Sequence, residues 1–155
     1  MADQILVQHV HQVFNTPGQD IVALQDIDLQ IPQGQFVCLL GPSGCGKSTL
    51  LNAVAGFVLS SGGQIVVEGR PVTGPGPDRG MVFQEYALFP WMTVGQNIAF
   101  GLEVQRWERA RVNAKVDQLL DLLHLRDFRD RFPNELSGGM RQRVAIARVL
   151  ALDSP

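Results

Sequence analysis

No stretch of the 155-residue sequence approaches the roughly 18–20 consecutive apolar residues that a membrane span requires. The N-terminal MADQILVQHVHQ has no basic segment leading into an apolar one, so no secretory signal is read there. Cysteine is scarce. Cys38 lies in an apolar, buried-strand pattern and Cys45 in a glycine-rich turn, which excludes a disulfide framework and makes the cytosol the expected compartment. Surplus basic charge is missing too. Thirteen Lys+Arg stand against fifteen Asp+Glu, a net charge of −2, so a strongly basic nucleic-acid binder is excluded. Repeats and low-complexity tracts are absent. What remains is a globular composition, 45% apolar and 18% charged, enough for one domain with its own core or one and a fraction. Only two lysines occur, Lys47 and Lys115, and the first stands in a special place.

Residues 4–14 and 21–31 read as strands, the second with Ile27, Leu29 and Ile31 on one face. Residues 32–35 form a turn. Residues 36–40 (FVCLL) are continuously apolar, the pattern of a strand buried on both faces. A glycine-rich loop at 41–46 precedes a helix from Lys47 to Ala55, closed by Gly56. Residues 64–68 are another strand, residues 69–80 a loop with four Gly and three Pro, and residues 81–83 a short strand. From about residue 93 the pattern is helical. Val112, Val116, Leu119, Leu120 and Leu123 share one helix face. Pro133 breaks the chain. Ser137 is then the N-cap of a last helix with Met140, Val144, Ala147 and Ala151 on one stripe. This divides the chain into a β-rich part, residues 1–84, and a helical part, residues 85–155.

Two segments carry chemistry. Gly41-Pro42-Ser43-Gly44-Cys45-Gly46-Lys47-Ser48 fits G-x-x-x-x-G-K-[ST]. Glycines let successive backbone N–H groups turn toward one anion, and the helix that follows presents its positive end to the same charge. Lys47 reaches β- and γ-phosphates, and the Ser48 hydroxyl suits Mg²⁺. An apolar run before and a helix after supply the context this motif needs. The second segment is Leu136-Ser137-Gly138-Gly139-Met140-Arg141-Gln142-Arg143. Taken alone it is a well-capped helix start, but two helix-start anion sites about ninety residues apart call for a joint explanation.

That pair resembles the nucleotide-binding subunit of ATP-binding cassette transporters. Residues 41–49 (GPSGCGKST), including Thr49, look like its Walker A segment, LSGGMRQR looks like the cassette signature, and Phe83-Gln84-Glu85 resembles the Q-loop. Residues 74–103 are similar to the nitrate/sulfonate/taurine-type importer branch in particular. The resemblance implies an α/β P-loop NTPase core with an antiparallel β flank and a helical insert. It implies ATP and Mg²⁺ as ligands, with Gln84 contacting the metal and the attacking water. It implies that Ser137, Gly138 and Gly139 bind the ATP held by a second copy across a head-to-tail dimer. Phe14 falls where the family places an aromatic that stacks on adenine. Leu88, Phe89, Pro90 and Trp91 fall where the family receives a permease helix, or else serve the insert's own core. The implied partners are a second ATPase subunit, transmembrane permease subunits and, indirectly, a solute-binding protein, at the cytoplasmic face of the bacterial inner membrane. The implied function is ATP hydrolysis in a full-length dimer to drive uptake of a small anion such as nitrate, sulfonate or taurine.

The family continues with an apolar strand ending in Asp and Glu, a D-loop and a switch histidine, and none of these is found in the 155 residues. The expectation is an N-terminal part of the domain, with its main catalytic carboxylates absent and the segments 36–40 and 81–83 lacking the strands that separate them in the family's sheet. A non-catalytic nucleotide-binding remnant of a truncated gene is the alternative. An unrelated P-loop kinase is a third reading, which the LSGG helix start disfavours. His9 and His11 share a strand face but show no acidic partner nearby in sequence, so they read as surface residues, and His124 as an ordinary helix-end residue. The arginines of the helical part are nearly balanced by acids and read as a solvated surface.

Overall fold

Alternating apolar side chains build the first elements. Strands β1 (Asp3–Thr16) and β2 (Gln19–Pro32) pair antiparallel from Thr16 and Gln19 back to Asp3 and Pro32. β3 (Gly62–Val67) pairs antiparallel with β1 on its other side, and the short β4 (Arg70–Pro71) with β3, giving the order β2-β1-β3-β4. The register of β1 against β2 is irregular at several points, and the slip between Val7 and Val10 shifts the buried face. Val7 and Val10 are both buried although three residues apart, because β1 bulges between them and His9 adopts a left-handed backbone at φ 47°. Gly63 lies against this bulge. A Cβ there would stand 2.2 Å from the His9 carbonyl oxygen, so only glycine lets β3 approach. Helix α1 (Lys47–Ala55) lays Leu50 and Ala53 against Val7, Val10, Leu24 and Ile65 of the sheet and ends at Gly56.

This computed structural model describes residues 3–152. The outer ends of the two expected parts, residues 1–2 and 153–155, lie outside the described residues. The chain divides into two compact units, Met1–Gly76 with the sheet and α1, and Pro77–Pro155 with the helices. In the second, α2 (Val94–Val104), α3 (Arg109–Leu122) and α4 (Gly138–Ala151) pack around Ile98, Leu102, Val116, Leu120, Leu125 and Val144, all essentially inaccessible. Burial of a side chain of this size contributes about 1.5–3 kcal/mol. Single 3₁₀ turns at Arg126–Phe128 and Pro133–Glu135 connect α3 to α4. α2 opens with a capping box: the Gln96 N–H donates to Thr93 Oγ1 at 3.3 Å, and the Thr93 N–H donates to Gln96 Oε1 at 2.8 Å. The predicted face of α3 is the buried one, with Val112, Val116, Leu119 and Leu120 inside and Leu123 packed against them.

Two expected strands are not strands. Among the described residues no strand joins 36–40 or 81–83 in a sheet. Phe36 is 89% and Leu40 92% exposed; only Leu39 tucks against the first unit's core. A continuously apolar run becomes a buried strand only between two neighbours, and these runs have none here. Cys38, expected to be buried, is exposed for the same reason. The expected loop 69–80 conversely holds β4, whose two residues pair with Val66 and Val67.

Candidate functional site

The loop between residue 40 and α1 is seated on β2. Gly46, just before the helix, has φ 92°, and a Cβ on it would stand 2.5 Å from the Ala23 carbonyl oxygen and 3.1 Å from Leu24 Cδ2. Glycine is the residue that fits both the backbone and the space. α1 starts with no side-chain cap and no acid in its first turn, so its end keeps free N–H donors and an uncompensated positive pole. Lys47 folds back over the loop. Its Nζ donates to the carbonyls of Gly41 at 2.8 Å and Pro42 at 2.7 Å, and lies 3.4 Å from Cys45 Sγ. The Cys45 N–H closes the loop onto the Pro42 carbonyl at 3.4 Å. Ser43, Gly44, Cys45 and Ser48 are exposed and Thr49 is half-buried. A cation, uncapped backbone donors and an accessible hydroxyl form a cradle whose chemistry fits a polyphosphate with its metal. Phe14 of β1, paired with Ile21 of β2, is 38% exposed, leaving part of its ring accessible.

The remaining expected residues lie in the second unit. Gln84 is exposed and precedes a tight turn at Tyr86 (φ 62°) and Ala87 (φ 46°), closed by the Tyr86 N–H on the Phe83 carbonyl at 3.1 Å. Ser137 caps α4 as expected, its Oγ accepting from the Met140 N–H at 3.3 Å. No acid occupies the first turn of α4, and beside Gly139 a Cβ would meet nothing within 4 Å, so this helix start is open. Of the aromatic loop, Leu88 packs on the helical core, and Phe89 packs at a tilt against Phe100 with ring centres 4.6 Å apart. Pro90 and Trp91 are exposed, Trp91 at 70%.

Sequence reasoning missed the residue that shapes this loop. Asn97 is fully buried in α2. Its Oδ1 accepts from the Phe89 N–H at 2.9 Å, and its Nδ2 donates to the carbonyls of Phe89 (3.2 Å), Met92 (3.0 Å) and Thr93 (3.0 Å). A lone Asn inside an apolar helix stripe was the available signal. Tyr86 and Arg148 were missed as well, since only folding brings Tyr86 to the start of α4 and Arg148 to the Gln84 segment.

The reading of the histidines needs correction. Antiparallel pairing of β2 with β1 brings Asp26 and Asp28 beside them: His9 Nδ1 lies 3.0 Å from Asp26 Oδ1 and 3.4 Å from Asp28 Oδ2, and the Asp26 N–H donates to His11 Nδ1 at 3.1 Å. The hydrogen bond to Asp26, then the charges of Asp28 and Asp26, raise the His9 pKa above its ordinary value. All four residues are exposed. In the helical unit, pairs Arg126–Asp121, Arg129–Asp117 and Arg131–Glu135 cover the surface, as expected of a solvated face. Hydrogen bonding holds the carboxyls of Asp121 and Glu135 below their ordinary range, from Arg126 in the first case and from the Phe132 N–H, then Arg131, in the second.

The family model described as ABC transporter matches residues 24–155. The nitrate import ATP-binding protein NrtC of Synechococcus elongatus is 52% identical over 151 residues, covering 96% of this chain and 23% of that protein. The taurine import ATP-binding protein TauB of Roseobacter denitrificans is 47% identical over 148 residues, covering 95% and 55%. A dimeric ATP-binding cassette, MJ0796, solved in a post-hydrolysis state bound to ADP and Pi, matches with a TM-score of 0.88 at 30% identity, over 97% of this chain and 71% of that one. Against the curated relatives, the chain spans about half their length or less.

Proposed function

The chain belongs to the ABC transporter family, and from that premise we propose that it is the ATP-binding, energy-coupling part of an importer for a small anion of the nitrate, sulfonate or taurine class. The observation that carries this reading is the pair of open, glycine-bearing helix starts, one beside Lys47 and one capped by Ser137. The names of the relatives, nitrate and taurine import ATP-binding proteins, support the substrate class. In this reading residues 1–84 are the nucleotide-holding core and residues 85–155 the insert that answers to a permease.

The loop's N–H groups and Lys47 bind the phosphates. On binding, the ammonium exchanges neutral carbonyl acceptors for charged phosphate oxygens, which strengthens each contact. Ser48 and Gln84 would hold Mg²⁺, which neutralises phosphate charge when bound. Gln84 orients the attacking water and Phe14 stacks on adenine. Ser137, Gly138 and Gly139 give their N–H groups to the ATP of a second copy, so that nucleotide closes a head-to-tail dimer. Hydrolysis reopens it, and the exposed Pro90 and Trp91 pass the motion to permease subunits at the cytoplasmic face of the membrane. A solute-binding protein delivers the anion to those permeases. The test is calorimetric titration with a non-hydrolysable ATP analogue. Lys47→Ala should weaken binding by more than tenfold, and an unchanged dissociation constant would refute the phosphate-loop assignment.

A further inference from the structure

Two residues after Gln84 the backbone enters the left-handed region twice in succession, at Tyr86 and Ala87, with no glycine at either position. Side chains disfavour that conformation, so the surroundings must hold it. The surroundings include an arginine from the far end of α4. Arg148 Nη1 donates to the Ala87 carbonyl, and its guanidinium lies over the Phe89 ring, 4.7 Å from the centre. No carboxylate pairs with Arg148 among the described residues, and burial pushes its pKa down. A half-buried cation committed to one carbonyl and one ring is an expensive way to fill space. Its partners are the strained turn and the aromatic that follows it.

The same turn reaches the other end of α4. The Tyr86 hydroxyl lies 3.3 Å from where a Cβ on Gly138 would stand, and the Arg141 guanidinium lies 5.8 Å from the Tyr86 ring centre. Tyr86 therefore rests on the glycine beside Ser137, and a displacement of the turn is felt at the first turn of α4. The two contacts sit at opposite ends of one fourteen-residue helix, Arg148 near its C-terminus and Gly138 at its N-terminus. A helix grasped at both ends moves with what grasps it.

We propose that Arg148 is a positioning residue for Gln84: by clamping the turn at Tyr86 and Ala87 it registers the Gln84 segment against α4, so that this segment and the Ser137 helix start move as one piece. The proposal rests on the reading of Gln84 and Ser137 given above. It links the loop that faces a copy's own nucleotide to the surface that serves the partner copy's nucleotide, through residues that touch neither.

The test measures ATP turnover and analogue binding in the full-length ATPase assembled with its permease. Arg148→Ala should lower kcat at least tenfold while KM and analogue binding stay within twofold of wild type. Adding Ala87→Gly, which removes the penalty for the left-handed backbone, should restore at least threefold of the lost kcat. Arg148→Lys, which keeps the charge but loses the planar guanidinium, serves if the alanine variant does not assemble, and should show the same kcat-selective loss and the same rescue. A fall in kcat that Ala87→Gly leaves unchanged means Arg148 is only packing, and the proposal fails. Wild-type kcat in a folded Arg148 variant also overturns it. If instead Lys47→Ala leaves analogue binding unchanged, the underlying nucleotide reading fails and this proposal falls with it.

Discussion

His9 shows how a single side chain changes character once its strand finds a partner. Its raised pKa comes first from the Asp26 hydrogen bond and then from the charges of Asp28 and Asp26. The folded state thus prefers the protonated imidazole. The stabilisation from this cluster is fully present below the unfolded histidine value of about 6.5, and is lost as pH rises through the higher folded value. Asp121 and Glu135 run the other way, since their depressed pKa values give stability that is present above the unfolded carboxylate range and is lost as pH falls. All these groups are exposed, so salt screens both effects. Asp26→Asn should move the His9 titration, followed by NMR of the ring protons, down toward the ordinary value. An unmoved titration would show that the His9–Asp26 contact does not hold in solution.

At the scale of elements, Asn97 of α2 fixes the aromatic loop that precedes it. Asn97→Leu keeps the branched shape of the side chain and removes the acceptor of the Phe89 N–H, leaving the Phe89 carbonyl with the Met92 N–H alone. Each buried group left unpaired costs about 1–3 kcal/mol, and the loss should appear both in chemical denaturation and as lost hydrogen-exchange protection at the Phe89 amide. Retained protection would mean the loop is held by its aromatic packing alone. Elements with local causes were legible in the sequence. α1 has the expected limits, because Gly46 and Gly56 bracket it, and Ser137 caps α4 because its own Oγ reaches the Met140 N–H. Elements with distant causes were not. Residues 36–40 have the composition of an inner strand, yet a strand needs neighbours, and the described residues supply none. β4 was hidden in a Gly/Pro-rich tract because two residues suffice for pairing and leave no periodicity. The acids beside His9 and the reach of Arg148 to Ala87, sixty-one residues away, are products of pairing and packing that no local pattern encodes.

At the scale of the whole molecule, the proposed function divides between two sets of groups. The Lys47 loop, proposed to hold phosphate, and the Ser137 helix start, proposed to serve the nucleotide of another copy, lie in different units. Phe36, Val37 and Leu40 in the first unit and Val82 and Phe83 in the second stand exposed. The central claim is that each Lys47 loop works with the Ser137 of another copy, and complementation tests it most directly. In the full-length protein, Lys47→Ala abolishes one half of every site and Ser137→Arg the other half, so neither variant alone should form a nucleotide-dependent dimer. Mixed in equal amounts, the two variants place both defects in one composite site and leave the other intact. Analytical ultracentrifugation with Mg-ATP should then show a heterodimer that neither variant forms by itself. If Ser137 instead served the nucleotide of its own copy, every copy in the mixture would be defective and no dimer would appear, and that result would contradict the account.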